Sequence, residues 1–439
     1  MLVLLILAVP FTASGCGEIA LFFGAGIPEG VTVDGVSVAG LKAKEADEVL
    51  PEIQQAIKDR ISFVFVYNGQ KIPLGKQYFN ISLNPGKIFQ EAIMAGKKNV
   101  NYSVDYTIDV SPAREAITKL AAKYNVQPAD AQFIVKPDNP IDQKFEYTAS
   151  KDGIIILENA LFTKLEQNAA NKDFSKIIVP FITTKAGVSL EDVKKNTTLI
   201  GSFQTLFKKP KLGYSNRVFN IAKAAALMNG KVLQPGEEFD MNAILGPRTF
   251  HRGWREAGAI WDGMMVHEPG GGVCQVSTTT WNAALYAGLE ITERRNHSIP
   301  SAYVPLGRDA TVSTGAQNLK FVNNKQYPIY IFATANKTEK WLQVDIYGPS
   351  FPEGYEVKIS QRQTDSWAPV GEDEYIVDLT LAPGEQVEDR DRRNGKSAVT
   401  YVDHYLNGQR VQRIVLTSIY KASVAIIRYN PGPSPTPAP

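Results

Sequence analysis

The spacing of apolar positions changes along the chain. Between residues 28 and about 198, alternating stretches typical of strands are interspersed with apolar positions three or four residues apart, which are typical of helices. Residues 30–40 alternate apolar and small polar side chains between glycines, which predicts a short hairpin. A helix should follow from Ala43, with a break or kink at Pro51. Its apolar face would carry Ala46, Val49, Ile53 and Ile57.

The same region contains one more predicted strand with a tight turn and two more helices. Ile61 to Tyr67 is β-branched and aromatic, and Asn68-Gly69 then supplies residues that tolerate the positive φ of a turn. Ser111-Pro112 is typical of a helix start, and a further helix should span roughly 157–170. The positions predicted to face the core are Ile117, Leu120, Ala121 and Tyr124 in the first helix and Leu157, Leu161 and Leu165 in the second.

From about residue 203, glycine and polar turn residues become more frequent. Ser215-Asn216 are predicted to cap a helix that ends at Gly230, and Pro235-Gly236 predicts a turn. That helix would bury Val218, Ile221, Ala222, Ala225 and Met228. Farther along, Gly270-Gly271-Gly272 precedes Val273-Cys274 and a run of helical composition. This arrangement predicts a turn that leads into a helix N-terminus at Cys274.

The C-terminal part of the chain has the composition of strands. Residues 398–406 and 409–417 flank Asn407-Gly408, which predicts a hairpin, and residues 381–384 separate an earlier pair of strands. The predicted fold class is therefore α+β and multidomain. The predicted domains are a mixed α+β region over 28–198, an α+β domain over 203–348, a small all-β module over 350–421 and a Pro-rich tail over 430–439.

The first 27 residues are predicted to be an export signal or a membrane anchor. Leu2 to Phe11 is almost entirely apolar, and a second apolar stretch runs from Ile19 to Ile27. Ala13-Ser14-Gly15-Cys16 resembles a bacterial lipobox, in which Cys16 would be acylated. The alternative is an uncleaved signal anchor of the roughly 20 residues that a bilayer requires. In both cases the rest of the chain would be extracytoplasmic and attached to the membrane.

Composition and charge narrow the classes of function. Hydrophobic residues make up 44% of the chain and charged residues 21%, which excludes wholesale disorder, collagen and a multi-span membrane protein. The formal net charge is +2 and no long basic run occurs, so nucleic acid is not an expected partner. Cys16 and Cys274 are too few for a disulfide framework, and neither has a zinc-site spacing. No metal and no cofactor are expected.

Cys274 is the strongest candidate for chemistry. The free N–H groups and partial positive charge of a helix N-terminus stabilise a thiolate, which is the nucleophilic form of cysteine. The N–H groups from Gly271 to Gln275 could also bind an oxyanion, because Gly271 and Gly272 allow the backbone to approach a substrate closely.

A nucleophilic cysteine also needs a base and a group that orients the base. The candidates for the base are His267 and His297, and Asp309 could orient the imidazole in a Cys-His-Asp arrangement. The neighbouring Arg308 could bind a substrate carboxylate through a bidentate pair, or it could be a structural ion-pair partner.

Each of these residues also has an alternative interpretation. A lone cysteine in an apolar neighbourhood is usually buried and inert, and a lone histidine is more often structural, as we interpret His251 and His404. Metal binding by His267, Cys274 and His297 fits no established ligand spacing.

Five stretches of the chain together form a recognisable pattern. They are Tyr214–Arg217, Pro235–Phe239, Gly270–Thr279, Glu293–Ser298 and Gly307–Thr311. This pattern resembles the VanW family, named from vancomycin-resistance clusters, over about residues 203–348, and it is most specific around Cys274. In addition, residues 28–198 are similar to the peptidoglycan-binding region that precedes VanW domains, and residues 350–421 resemble the five-glycine (G-five) module of surface proteins, with an incomplete glycine pattern.

The resemblance implies a bacterial cell-wall protein that acts on peptidoglycan stem peptides and glycan. For VanW members it implies L,D-transpeptidation, in which Cys274 would form a thioester and a 3-3 cross-link would result. The alternatives are an L,D-carboxypeptidase that uses the same cysteine and a non-catalytic wall-binding or scaffold protein. One departure from the family pattern is Asn318, which stands before Leu319-Lys320-Phe321 where an aspartate is expected.

Overall fold

The computed structural model describes residues 26–207, 214–261 and 264–432. Of the predicted export segment only residues 26 and 27 are described, so Cys16 lies outside the described residues, as do residues 433–439 of the Pro-rich tail. Within the described ranges, no helix is both long and apolar enough to cross a bilayer. The predicted α+β fold class is confirmed.

Two compact units make up the described chain. The first contains the residues up to Asp130 together with Ser150–Gly187, and the second contains Ala131–Ala149 together with the residues from Val188 onward. In chain order, the elements up to residue 187 are β1 (Thr32–Val33), β2 (Val36–Ser37), α1 (Ala43–Ala46), α2 (Leu50–Arg60), β3 (Val64–Tyr67), β4 (Gln70–Pro73), β5 (Asn80–Asn84), α3 (Ile88–Ala95), β6 (Asn101–Tyr102), β7 (Asp105–Asp109), α4 (Ala113–Tyr124), β8 (Gln132–Val135), β9 (Phe145–Thr148), β10 (Gly153–Ile156), α5 (Glu158–Ala170), β11 (Ile177–Ile178) and β12 (Phe181–Thr184).

The elements from residue 188 onward belong to the second unit. They are α6 (Leu190–Lys195), β13 (Thr198–Leu206), α7 (Tyr214–Met228), β14 (Lys231–Leu233), β15 (Glu238–Asp240), α8 (Met241–Leu245), β16 (Glu256–Trp261), β17 (Met264–Pro269), α9 (Val273–Tyr286), β18 (Glu290–Glu293), β19 (Lys320–Val322), β20 (Ile329–Asn336), β21 (Trp341–Gly348), β22 (Tyr355–Trp367), β23 (Glu374–Val377), β24 (Gln386–Arg390), β25 (Gly395–Leu406), β26 (Gln409–Tyr420) and β27 (Ile426–Tyr429).

The first unit contains the predicted hairpins and helices. β1 pairs with β2, and β3 pairs with β4 through Asn68 and Gly69, whose φ angles are 47° and 79°. A 3-10 turn, Asp47–Val49, separates α1 from α2, and Pro51 lies in the first turn of α2, where its missing N–H costs nothing. The helix is therefore interrupted, but at residues 47–49 and not at Pro51 as predicted.

Helices α2, α4 and α5 supply much of the apolar core of the first unit. Ile53, Ile57, Ile117, Leu161 and Leu165 are buried as predicted. The prediction for Leu157 is wrong, since this side chain is 37% exposed. Leu157 is the residue before α5 and has a non-helical backbone, so the helical spacing of four does not hold there.

The second unit is built around a four-stranded sheet of order β13-β21-β20-β14. Helix α9 is buried throughout Gln275–Leu285, and its backbone passes so close to β13 that a Cβ at Gly201 would lie 2.4 Å from the carbonyl oxygen of Ala283. Helix α7 buries Val218, Ile221, Ala225 and Met228, as predicted, whereas Ala222 is only half-buried. Ser215 and Asn216 lie inside α7 instead of capping it, because the helical residues already include Tyr214.

The hairpin β8–β9 also belongs to this second unit. Phe133 and Phe145 pack edge-to-face against Tyr330, and Phe145 also contacts Phe332 and Tyr347 of the central sheet. This aromatic cluster fixes a segment of the 28–198 stretch of sequence onto the later part of the chain.

Residues 350–432, here called the C-terminal module, form two three-stranded sheets of order β22-β25-β26 and β23-β27-β24. Asn407 and Gly408 have φ angles of 51° and 79° and join β25 to β26, which confirms the predicted hairpin. The strands on either side of residues 381–384 do not pair with each other. Instead β27 lies between them, parallel to β23 and antiparallel to β24.

Candidate active site

Cys274 is the second residue of α9 and follows the predicted glycine turn. Gly270 and Gly272 have φ angles of 92° and 106°, a backbone region that strongly favours glycine. A Cβ at Gly271 would lie 2.3 Å from the carbonyl oxygen of Ala257, so this position is closed to any side chain. The turn therefore places a half-buried thiol in the first turn of a helix that is otherwise buried from Gln275 to Leu285.

The Cys274 thiol has polar neighbours from a loop that is distant in sequence. Sγ lies 3.4 Å from the Thr311 hydroxyl and 3.4 Å from the carbonyl oxygen of Val312. His297 is a third polar neighbour, and its imidazole acts on the ionisation of the thiol. Of the two histidines considered as base, the structure brings His297 to the thiol, whereas His267 lies exposed on β17 opposite Gly258.

His297 is held by Asp309 through two contacts. Asp309 Oδ2 accepts a hydrogen bond from the His297 backbone N–H at 2.7 Å and lies 2.6 Å from Nδ1. Ser301 Oγ is a further neighbour of Nδ1, at 3.1 Å. Because Nδ1 is engaged by Asp309, Nε2 is the nitrogen that is available to the thiol.

These contacts set the ionisation of the pair. Burial alone would raise the pKa of Cys274, but the hydrogen bond and charge of His297, with help from Thr311 and Val312, lower it to about 7. Burial would lower the pKa of His297, but the bonds to Asp309 and Cys274 raise it to about 9. Between these values the pair is a thiolate and an imidazolium, which is the nucleophilic form of cysteine beside a proton donor.

Asp309 stays ionised although it is buried. Burial raises the pKa of its carboxyl group, and the hydrogen bonds from His297 and Tyr420 outweigh that effect and lower it. Tyr420 donates its hydroxyl to Oδ1 at 2.6 Å, and Arg294 lies 3.6 Å from the same oxygen. Both carboxylate oxygens are therefore engaged.

The backbone N–H groups of residues 271–275 are only partly available to an oxyanion. Gly271 donates to the carbonyl of Glu268, Val273 to that of Gly270 and Gln275 to that of Gly272. The N–H groups of Gly272 and Cys274 have no acceptor among the described residues. Of the N–H groups predicted to bind an oxyanion, only these two are therefore available.

The remaining predicted substrate residues do not reach the thiol. Gln275 is buried and ties α9 to β13, since its Nε2 donates to Thr205 Oγ1 at 3.0 Å and its Oε1 accepts from Arg217 at 2.9 Å. Arg308 Nε donates to Asn282 Oδ1 at 2.6 Å. Asn282 is eight residues beyond Cys274, about 12 Å along the helix. Arg308 therefore lies away from the thiol, and among the described residues it forms no ion pair, while its buried Nη2 has no hydrogen-bond partner.

Asn318 shapes a turn. Its Oδ1 accepts from the N–H groups of Asn242 and Leu319, and its Nδ2 donates to Asp240 at 2.8 Å. These are contacts that asparagine can make in place of the expected aspartate, and none of them involves the thiol.

Sequence reasoning missed two residues of this site. Tyr420 hydrogen-bonds to Asp309 but is 111 positions away in sequence, where its pattern is that of an ordinary core aromatic at the end of a strand. Arg248 packs its side chain against Gly270, where a Cβ would lie 2.7 Å from Arg248 Cγ. Burial lowers the pKa of Arg248, and the nearby Cys274 and Glu268 charges oppose that effect. Its Nη2 is buried and has no partner among the described residues.

No group of three or more His, Cys, Asp or Glu side chains within the described ranges is arranged to hold a metal ion. His267, Cys274 and His297, considered above as a ligand set, do not converge, because His267 lies exposed on β17.

Two protein-family models match separate parts of the chain. The family model described as "VanW like protein" matches residues 216–347, and the model described as "Putative peptidoglycan binding domain" matches residues 78–177. The predicted VanW resemblance is thereby confirmed. The first match contains Cys274, His297 and Asp309 and ends before Tyr420.

Two curated relatives each match part of the chain. The uncharacterized protein YoaR of Bacillus subtilis is 38% identical over 160 residues, which is 36% of this chain and 52% of that protein. The vancomycin B-type resistance protein VanW of Enterococcus faecalis is 29% identical over 124 residues, 27% of this chain and 45% of that one. The chain thus spans about half the length of the curated relatives it matches.

Likenesses to solved structures are weak. An IgA1 protease G5 domain matches 17% of this chain and 90% of its own, with 18% identity and a TM-score of 0.12. An Enterococcus faecium L,D-transpeptidase (C442S mutant) matches 51% of this chain and 75% of its own, with 10% identity and a TM-score of 0.17.

Proposed function

We propose that this protein works outside the cytoplasm at the bacterial cell wall, as a cysteine L,D-transpeptidase that joins peptidoglycan stem peptides. The observation that carries the proposal is the Cys274–His297–Asp309 chain of contacts at the start of a buried helix. The match of residues 78–177 to a peptidoglycan-binding family supports peptidoglycan as the substrate.

In the first step, the Cys274 thiolate attacks the carbonyl carbon that precedes the terminal D-Ala of a tetrapeptide stem. A C–S bond forms and the carbonyl oxygen becomes an oxyanion. The N–H groups of Gly272 and Cys274, which have no acceptor among the described residues, would stabilise it. When the C–N bond breaks, the His297 imidazolium gives its proton to the departing D-Ala nitrogen. The product is a thioester on Cys274, and neutral His297 remains.

In the second step, the side-chain amine of diaminopimelate on a neighbouring stem attacks the thioester. His297 accepts a proton from this amine while the C–S bond breaks and an amide bond forms. The thiolate and the imidazolium are restored, and the two stems are joined by a 3-3 cross-link. Asp309 holds the imidazole so that Nε2 serves in both steps.

Water in place of the amine would make the same site an L,D-carboxypeptidase. The acyl-enzyme is common to both reactions, so only the product distinguishes them. A non-catalytic wall-binding protein would need neither the thiolate nor the ordered His297.

The test is to incubate a purified disaccharide-tetrapeptide with the full chain and to analyse the products by mass spectrometry. The wild type is compared with Cys274→Ala, and Cys16→Ala is the matched control because Cys16 is the other cysteine of the chain. We expect a cross-linked dimer that lacks one D-Ala from the wild type and from Cys16→Ala, and none from Cys274→Ala. A tripeptide without dimer would establish the carboxypeptidase. If no product forms while binding to isolated cell walls persists, the catalytic proposal fails.

A further inference from the structure

The last strand of the C-terminal hairpin runs alongside the loop that carries His297. The Lys421 N–H donates to the carbonyl of Ser298 at 2.9 Å, and Asn296 Nδ2 donates to the carbonyl of Ile419 at 2.7 Å. These two bonds flank His297 on both sides. The end of β26 therefore lies against the catalytic loop of the residue range that matches the VanW model.

Tyr420, at the end of β26, reaches the carboxylate behind that histidine. Its side chain is fully buried, and its hydroxyl donates to Asp309 Oδ1 at 2.6 Å while accepting the Gly307 N–H at 2.8 Å. Burial raises the pKa of Tyr420, so the phenol stays protonated and remains a donor across the range in which the site would work.

A second line of contacts runs through Arg294. Its Nη1 donates to Ser418 Oγ of β26 at 2.9 Å, and its Nε donates to the backbone carbonyl of Asp309 at 2.8 Å. The guanidinium lies 4.4 Å from the ring of Trp281 in α9, which fixes its plane. The loop that carries Asp309 is thus tied to β26 through both its side chain and its backbone.

Strand β25 contributes to the same loop. Thr400 Oγ1 donates to the carbonyl of Gly307 at 2.9 Å. Gly307 has a φ of 85°, and a Cβ there would lie 2.8 Å from Thr400 Oγ1, so glycine is required for this approach. The contact between loop and module leaves no space for a side chain at Gly307.

We propose that Tyr420 is a positioning residue for the Cys-His-Asp site, so that the C-terminal module completes the active site and is not only an attachment module. The proposal rests on the proposed function for the role of the site itself. A carboxylate held at one oxygen can rotate about its Cβ–Cγ bond. Because His297 holds Oδ2 and Tyr420 holds Oδ1, Asp309 has one orientation, and His297 is fixed with Nε2 toward the thiol.

Tyr420→Phe removes a single oxygen atom and keeps the buried ring. Asp309 Oδ1 would then retain only Arg294 at 3.6 Å, and the Gly307 N–H would lose its acceptor. The carboxylate would be free to turn away from His297, so the imidazolium would be less stable and would stabilise the thiolate less. The reactivity of Cys274 should then decline at the acid side of its pH range.

The experiment measures the rate of Cys274 alkylation by iodoacetamide against pH in the full chain, with Cys16→Ala as background so that one thiol reacts. For Tyr420→Phe we expect the rate at pH 6 to fall about tenfold, equivalent to a rise of about one unit in the pKa of the thiol, with the same limiting rate at high pH. Tyr375→Phe, an exposed tyrosine of the same module, is the control and should match the background. Superimposable profiles for Tyr420→Phe and the background would overturn the proposal.

Ser418→Ala keeps the proposal testable if Tyr420→Phe does not fold. This variant removes the Arg294 partner and should shift the profile in the same direction by a smaller amount, about threefold at pH 6. An unshifted profile in a folded Ser418→Ala protein would then count against the proposal. Alkylation needs no peptidoglycan, so a wild type that forms no cross-links would refute the proposed function, while a shifted Tyr420→Phe profile would still support the positioning role.

Discussion

His297 and Asp309 are joined twice, since one carboxylate oxygen contacts both the backbone N–H, at 2.7 Å, and the ring Nδ1, at 2.6 Å. The double contact fixes the ring and its tautomer together. It also compensates the burial of the two groups, because the charge of each stabilises the other. Four predictions about this site and its surroundings follow the same physical reasoning.

Asp309→Asn should disable the site without unfolding the protein. The amide has the shape of the carboxylate but lacks its charge, so the pKa of His297 should fall below about 9 and that of Cys274 should rise above about 7. We expect cross-link formation to drop by about a thousandfold or more. Single-turnover thioester formation, followed by mass spectrometry, measures the effect, and the exposed Asp173→Asn is the control. A drop below tenfold would exclude Asp309 as the orienting group.

The pH profile of the reaction should be bell-shaped. The nucleophile is lost as the pH falls through the Cys274 pKa of about 7, because the thiolate takes up a proton. The proton donor is lost as the pH rises through the His297 pKa of about 9. We therefore expect kcat/KM for a soluble tetrapeptide to be highest near pH 8. A profile that rises without an alkaline limit would show that His297 does not act as the acid.

Cys274→Ser should lower the pKa of His297. The thiolate contributes a hydrogen bond and a negative charge that favour the imidazolium, and a neutral serine hydroxyl removes the charge. NMR titration can follow this group, since the chain has four histidines and His297→Asn identifies the relevant resonance. We expect a decrease of about one unit or more. An unchanged His297 titration would mean that thiol and imidazole do not interact in solution.

The position of the proposed nucleophile, Cys274, can be predicted from the sequence, whereas the contact of Tyr420 with Asp309 cannot. The three glycines of Gly270–Gly272 predict a tight turn, and two of them do adopt positive φ. The run that follows predicts a helix, so local sequence is enough to place Cys274 at its N-terminus. His297 and Asp309 were found as residue types, but their contact depends on the packing of a loop. Tyr420 contacts Asp309 although the two residues are 111 positions apart in sequence, and the periodicity of helices and strands does not predict contacts at that separation. The same limit applies to Arg308, which adjoins Asp309 in sequence while its side chain donates to Asn282.

Arg308→Met should cost stability and leave substrate binding unchanged. The variant removes the donor to the buried Asn282 Oδ1 and the guanidinium above the rings of Phe203 and Tyr286, at 5.4 and 5.8 Å from their centroids. An unpaired buried amide oxygen costs about 1–3 kcal/mol, which urea unfolding of the second unit can measure. KM for the tetrapeptide should stay within about twofold of wild type, which corresponds to a change of at most about 0.4 kcal/mol in binding free energy. A tenfold higher KM at unchanged stability would instead show that Arg308 binds the substrate carboxylate. The stem peptide would then have to lie along α9 and not contact it only at Cys274.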